Sequence, residues 1–354
     1  MKIVVSAGGS GGHINPALSI IQKFKELEED LEILYIGTTN RMEKDIIPKH
    51  NINYIGLDVQ GLKRSLSFSN ILTLFKFIKS IIKVKKVLKE FKPDFVIGVG
   101  GYVTAPVVYS AKKLKFKTFI HEQNKNFGLT NKFLLKYADK VFTSFETTTN
   151  IKYKDKIRYT GNPTSETYLN STPAKKSDYN LDKNKKLVLM VLGSLGSQTV
   201  NKKMKVILKE FKNKDYEFIY VTGKDYYKDF KNIKNVKVLS YVDDMAGLLK
   251  ITDLIITRAG AATISEIAAL KVPAIIIPSM YVTDNHQYEN ALELVDKKCA
   301  LLLEEKNLNK ENLINKIEYI LNSKEKYNEF KENISKLTVE NSATKIYTYI
   351  VEKV

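Results

Sequence analysis

Two stretches of this chain share one layout: a short apolar run, a turn of Gly and Ser, and then a helical pattern. Lys2-Ile-Val-Val-Ser6 runs into Ala7-Gly-Gly-Ser-Gly-Gly12, and Leu187-Val-Leu-Met-Val-Leu192 runs into Gly193-Ser-Leu-Gly-Ser197. A strand apolar on consecutive positions is covered on both faces, and a glycine turn then feeds the helix that covers it. The same alternation continues along the chain. Further strands are expected at residues 32–36, 53–56, 95–98, 117–121 and 140–143, then at 217–222, 236–239, 254–257, 274–277 and 300–303. Helical patterns such as Pro16–Lys25 and Thr263–Leu270 separate most of them. The fold class is therefore α/β: two doubly wound, Rossmann-like domains. A polar stretch from Gly161 to Lys186, with Pro163, places the boundary near Gly161, giving domains 1–161 and 162–354. Two such domains facing across a cleft bind ligands at the carboxyl ends of both sheets.

A length of 354 residues suits two domains of ordinary size. The single cysteine, Cys299, cannot form an internal disulfide, and with only four His no Cys/His zinc cluster is possible. No run of about eighteen uncharged apolar residues occurs, and Gly8-Gly9 interrupts the N-terminal apolar run, so a cytoplasmic chain is expected. The net charge is +18, and residues 1–160 hold 27 basic against 14 acidic residues. Within them, residues 62–92 carry nine Lys/Arg and one acid. Such an excess points to nucleic acid, an anionic membrane or a phosphorylated substrate. A general lysine bias explains the total better than it explains the cluster.

Gly8-Gly-Ser-Gly-Gly-His13 follows the first strand and leads into a helix whose first turn is expected to hold Pro16. Glycines let a ligand approach the backbone, and a helix start offers free N–H groups to an anion. The dinucleotide pattern Gly-x-Gly-x-x-Gly fails in every register, and no Gly-Lys-Ser/Thr follows. Gly-x-Ser-x-Gly is satisfied, but a hydrolase elbow follows several earlier strands, and here it follows the first. A second cluster, Gly98-Val-Gly-Gly-Tyr102, ends a neighbouring strand. Together the loops suggest a diphosphate cradle. His50 sits in a polar loop. His13, His121 in His121-Glu-Gln-Asn124, and His286 in Asp284-Asn-His-Gln287 stand at strand or helix ends, where a wound sheet binds ligands. Any of these could serve as a base near neutral pH.

The ordered set is specific. Gly8-Gly-Ser-Gly-Gly-His-Ile-Asn-Pro16, Gly98-Val-Gly-Gly-Tyr102, His121-Glu-Gln-Asn124 and Gly161-Asn-Pro163 are followed by four more strings. These are Gly193-Ser-Leu-Gly196, Tyr241-Val-Asp-Asp-Met245, Arg258-Ala-Gly-Ala-Ala-Thr-Ile-Ser-Glu266 and Asp284-Asn-His-Gln-Tyr288. To about residue 291 the chain resembles the MurG family, N-acetylglucosaminyltransferases that complete the lipid-linked disaccharide of bacterial peptidoglycan. The resemblance implies a GT-B fold, with an acceptor- and membrane-binding N-terminal domain and a C-terminal domain that binds UDP-N-acetylglucosamine. It implies inverting transfer to undecaprenyl-diphospho-N-acetylmuramoyl-pentapeptide, lipid I, to make lipid II. No cofactor or metal is implied, and no Asp-x-Asp string is present.

Carried over position by position, the resemblance implies that Glu266 bonds the ribose. The Val242 backbone pairs with uracil, and Met245 packs nearby. Ser194 and the turn Gly260, Ala261, Ala262 and Thr263 hold the donor diphosphate. His286, Gln287 and Asn124 read the sugar, with Ser10, Gly11 and Gly12 also on the donor side. Gly9, Gly100, Gly101, Tyr102 and Glu122 face the acceptor, and His13 is the expected base. Two positions depart from the family. One glycine of its Gly-Gly-Ser-x-Gly string is Leu192 here, and an arginine two residues after Gly-Asn-Pro is Ser165.

Residues 70–91 read as a basic helix with Ile71, Phe75, Ile78 and Ile82 on one stripe and Lys76, Lys79, Lys83 and Lys86 beside it. A core stripe next to a solvated face is the bland account. The resemblance instead implies a patch at Ile71, Phe75, Ile78 and Ile81 that meets the anionic cytoplasmic face of the cell membrane as a peripheral contact. The nearest alternative function is a UDP-sugar:diacylglycerol glycosyltransferase, which has no use for a diphosphate cradle. A nucleotide-sugar-binding regulator would leave His13 idle, and no nucleic-acid recognition motif is present.

Overall fold

The computed structural model describes residues 1–61, 69–146, 151–193, 196–211, 214–233, 236–279 and 286–354. Among these, two parallel sheets form. The first contains β1 (Lys2–Ser6), β2 (Glu32–Thr38), β3 (Asn53–Leu57), β4 (Phe95–Gly98), β5 (Lys117–Glu122), β6 (Lys140–Thr143) and β7 (Ile157–Tyr159), in the order β3-β2-β1-β4-β5-β6-β7. The second contains β8 (Lys186–Val191), β9 (Tyr216–Val221), β10 (Lys237–Leu239), β11 (Leu254–Thr257), β12 (Ala274–Ile276) and β13 (Ala300–Leu302), in the order β10-β9-β8-β11-β12-β13. In both, the strand order reverses beside the opening strand, which puts β1 next to β4 and β8 next to β11. The twelve expected strands all form within a residue or two of the expected bounds, and β7 is additional. Ile157-Arg-Tyr159 is a three-residue edge strand with a central arginine, so it carries no apolar run to read.

Helices of the first unit are α1 (Gly11–Leu27), α2 (Glu43–Ile46), α3 (Ser69–Phe91), α4 (Thr104–Lys113) and α5 (Leu129–Leu134), and the division between the units falls within α6 (Thr164–Asn170). The second has α7 (Gln198–Ile207), α8 (Met245–Lys250), α9 (Ala261–Ala269), α10 (His286–Asp296), α11 (Lys310–Leu321) and α12 (Lys324–Ser335), and α13 (Ser342–Val351) follows. Helix α1 starts at Gly11, earlier than expected, so Pro16 lies inside the helix rather than in its first turn.

The compact units are residues Met1–Glu166 with Val339–Val354, and Thr167–Thr338. A division at 161/162 places α13 with the second sheet; its apolar stripe instead belongs to the first. Ile346 and Ile350 are buried with Phe24, Phe95 and Phe119, and Tyr347 packs edge-on against Phe24 at 4.9 Å. The other face of that sheet is covered by Val84 and Leu88 of α3 and Val107 and Ala111 of α4. Around the second sheet, Val200, Met204 and Ile317 cover one face, and Leu248, Ile264, Ile267 and Leu294 cover the other.

Candidate active site

In the first unit both glycine loops leave the reversal point of the sheet, one from β1 and one from β4, and they touch. Gly8 N donates to Gly100 O at 3.2 Å. Gly100 and Gly101 have φ of +104° and +89°, a region that L side chains avoid. A Cβ on Gly101 would lie 2.3 Å from Gly8 O, and one on Gly100 would lie 2.3 Å from His13 Cδ2. Glycine at 100 therefore lets the second loop lie against the imidazole that the first presents. His13 is half-buried and its Nδ1 has no hydrogen-bond partner. Burial lowers its pKa from the ordinary 6.5, against opposing effects of the Gly8 backbone and the Glu43 charge. The ring is thus neutral near pH 7 and able to accept a proton. Ser10 stands at the N-cap of α1 without a side-chain cap, so the helix start stays open.

The string His121–Asn124, which ends β5 and runs past it, divides its labour. Gln123 Nε2 donates to Val99 O at 2.7 Å and lies 3.0 Å from His121 Nδ1. His121 Nε2 lies 3.4 Å from Gly161 O. The fully buried His121 is pushed down to about 4 by burial and is a strut between strand ends. The buried Glu122 accepts from Asn124 N and Nδ2, Gly128 N and Asn131 Nδ2 at 2.9–3.1 Å. Burial raises its pKa and these bonds pull the other way. Both of its oxygens are engaged internally, and it shapes the loop that carries the half-buried Asn124.

The second unit repeats the layout. Gly260 is the N-cap of α9 with no capping side chain, so the first N–H groups of that helix face outward from the end of β11. Glu266, one turn further on, is buried. Tyr168 of α6 is hydrogen-bonded to it, and its phenol pKa is raised by burial first and by that carboxylate second. Asn290 of α10 donates to Ala259 O at 3.0 Å. Arg258 and Glu305 pair at 2.6 Å, each side chain only 10% exposed. Arg258 also donates to Ile277 O and Ser197 Oγ, and Glu305 accepts from Thr199 Oγ1. The pair therefore ties the loops after β8, β11, β12 and β13. Gly196, at φ +73°, passes so close that a Cβ would lie 2.0 Å from Thr222 O. Asp244 caps α8 by accepting from Gly247 N at 2.8 Å, beside the buried Val242 and the partly buried Met245. Among the described residues no group of three or more His, Cys, Asp or Glu is placed to hold a metal ion.

The chain matches the glycosyltransferase family 28 N-terminal domain over residues 3–143 and the family 28 C-terminal domain over residues 187–346. It is 42% identical to the UDP-N-acetylglucosamine--N-acetylmuramyl-(pentapeptide) pyrophosphoryl-undecaprenol N-acetylglucosamine transferase of Bacillus pumilus, over 99% of each chain. The chain belongs to glycosyltransferase family 28. A relative of the same name from Listeria welshimeri is 40% identical over 98% of each chain. The crystal structure of MurG from Acinetobacter baumannii aligns with a TM-score of 0.75 at 26% identity, over 99% of each chain. The two wound sheets are thus the GT-B arrangement of this family.

Against that family pattern, the structure brings Gly9, Gly100, Gly101 and His13 together around one reversal point, with Tyr102 exposed at its edge. Gly9 N is turned inward, to Glu43. Gly260, Ala261, Ala262, Thr263 and Glu266 gather at the other reversal point. Gln287 lies beside the loop after β12, accepting from Ser279 N at 3.0 Å. Ser194 and the His286 side chain lie outside the described residues. Ser165, where the family's arginine is expected, is buried and donates to Asn162 O at 2.7 Å. Position 165 therefore points into the first unit. Sequence reasoning assigned no role to Glu43, Tyr168, Asn290 or the Arg258–Glu305 pair. Arg258 was visible in its motif, but its partner lies 47 residues further on, with no periodic signal to link them.

Proposed function

We propose that this glycosyltransferase family 28 enzyme moves N-acetylglucosamine from UDP-N-acetylglucosamine to the sugar hydroxyl of undecaprenyl-diphospho-N-acetylmuramoyl-pentapeptide, making lipid II. The observation that carries this reading is identity of 42% with a transferase of that name across the full length. In the proposed mechanism, His13 takes the acceptor hydroxyl proton as the new glycosidic bond forms and the bond to UDP breaks. The open start of α9 and the turn before Ser197 receive the charge that develops on the departing UDP. Glu266, held by Tyr168, accepts from the ribose hydroxyls. Gln287, His286 and Asn124 read the sugar. The open start of α1, with Gly100 and Gly101, admits the acceptor's diphosphate beside Tyr102. Apart from Asn124, the first unit thus serves acceptor and membrane, and the second the donor.

UDP release decides it. Release is expected with the undecaprenyl-diphosphate acceptor, at the same rate in EDTA, and not with diacylglycerol. Release with diacylglycerol alone would overturn the acceptor assignment, and loss in EDTA restored by magnesium would overturn the leaving-group assignment.

The same reading includes peripheral attachment to the anionic cytoplasmic face of the membrane through α3. No helix among the described residues is long and apolar enough to cross a membrane. Helix α3 is inverted over its first turns: Thr73 and Ser80 are buried, while Ile71, Phe75, Ile78 and Ile82 are 48–66% exposed. That exposure argues against a core stripe. Ile81, expected in the patch, is partly buried, because it shares the inward face with Val84 and Leu88 at helical spacing. Ile82 takes its place. Lys79 stands over the Phe75 ring at 4.7 Å, whereas Lys76 is paired with Asp58. Changing Phe75, Ile78 and Ile82 together to serine is expected to lower co-sedimentation with phosphatidylglycerol vesicles at least about tenfold, with UDP-sugar binding intact. Unchanged co-sedimentation would remove the patch from the membrane contact.

A further inference from the structure

We infer that Glu43 is a positioning residue for His13: its buried carboxylate anchors the first glycine loop from beneath and sets a fixed negative charge across that loop from the imidazole. The inference rests on the reading of His13 as base. Glu43 opens α2, after a four-residue turn from β2, and is fully buried. A carboxylate is rarely buried unless something there requires it. Its Oε1 accepts from Thr38 N at 3.0 Å and Thr38 Oγ1 at 2.6 Å, and its Oε2 accepts from Gly9 N at 3.1 Å. A Cβ on Gly8 would lie 2.5 Å from Oε1, so the Gly8–Gly9 backbone rests directly on the carboxylate. The Gly9 peptide is thereby held with its N–H inward at φ +99°.

Above that layer lies His13, with Gly100 against its ring. Two charged or titratable groups act on it. Glu43 favours its protonated form, while His121 and His13 disfavour protonation of one another. Around Glu43 stand the Tyr35 and Tyr54 phenols, both raised chiefly by burial and then by the Glu43 charge, with Asp45 also acting on Tyr54. When His13 takes the acceptor proton it becomes an imidazolium, half-buried with Gly100 against its ring. A carboxylate already fixed there stabilises that cation without reorganising.

Two variants separate the anchor from the charge. Glu43→Gln keeps the size and an accepting oxygen but removes the charge. Glu43→Asp keeps the charge but draws it away from Gly9 N. His13 is titrated by NMR in each folded protein, without turnover, beside pH profiles of kcat/KM for the lipid-diphosphate acceptor. In Glu43→Gln the His13 midpoint is expected to fall, the acid limb to move with it to lower pH, and the plateau kcat to drop about tenfold as the base weakens. In Glu43→Asp the limb is expected to stay and the acceptor KM to rise about fivefold. A folded Glu43→Gln protein with the parent's His13 midpoint and acid limb overturns the inference. A midpoint that falls while the limb stays supports the coupling and instead sinks His13 as base. Should Glu43→Gln not fold, a parental acceptor KM in Glu43→Asp overturns the anchor.

Discussion

The His13→Ala enzyme is expected to lose about 10²–10⁴-fold in kcat, with little change in the KM for UDP-N-acetylglucosamine. The reason lies in placement: the imidazole stands where two glycine loops meet, and Gly100 has no side chain to displace it. The pH profile follows from burial. Because the pKa of His13 lies below the ordinary 6.5, the neutral ring persists to lower pH, and the rate should fall only as pH drops through that lowered value. His121, protonated in the folded state only near 4, also binds protons more weakly than in the unfolded chain. Stability therefore declines as pH falls from about 6.5 toward 4, and rates belong in the range where circular dichroism shows the native fold. Steady-state kinetics with donor and acceptor varied separately would decide. A retained kcat with a raised acceptor KM would make His13 a phosphate contact instead of the base.

Arg258→Ala is expected to destabilise the protein by about 3–5 kcal/mol, because it leaves Glu305 buried without its counter-charge. It also removes donors from Ile277 O and Ser197 Oγ. The donor KM should rise with it, since the pair connects the two turns proposed to hold the donor diphosphate. Changing both members to methionine should restore much of the stability, as apolar replacements of buried pairs often do, but not the donor KM. Denaturant unfolding of the three variants, with KM measured on each, tests both parts. A loss below about 1 kcal/mol for Arg258→Ala would show that the pair is solvated in practice.

What could be read from the chain was whatever leaves a local mark. The strands at 2–6 and 187–191 announce themselves as unbroken apolar runs, and the loops after them by glycines that the turns require at positive φ. What could not be read depends on partners distant in sequence. Glu43 resembles any acidic residue at a helix start until Gly9 is seen to rest on it. Arg258 finds its partner at Glu305, and Glu266 finds Tyr168, only once the sheet is wound. Helix α3 misled in a different way. Its period allowed both a core stripe and an exposed one, and only the burial of Thr73 and Ser80 separates them. Between Ile81 and Ile82 a single step turns a helical side chain by about 100°, and of the two it is Ile82 that is exposed.

Helix α13 has a consequence for how the chain folds as it is made. Tyr347 donates to Glu28 across 319 positions, and the same helix supplies Ile346 and Ile350 to the core built on Phe24 and Phe95. On the ribosome, the residues that build the first sheet emerge early but lack this cover until the second unit and then α13 have been made. At about 5–20 residues per second, that core waits for tens of seconds with an apolar face unsealed. The second unit, contiguous from Thr167 to Thr338, can close in the meantime. Completion of the early half thus falls to a helix translated only after the whole second unit, and a nascent chain stalled before Ser342 presents to chaperones and proteases the surface that Ile346 and Ile350 later seal.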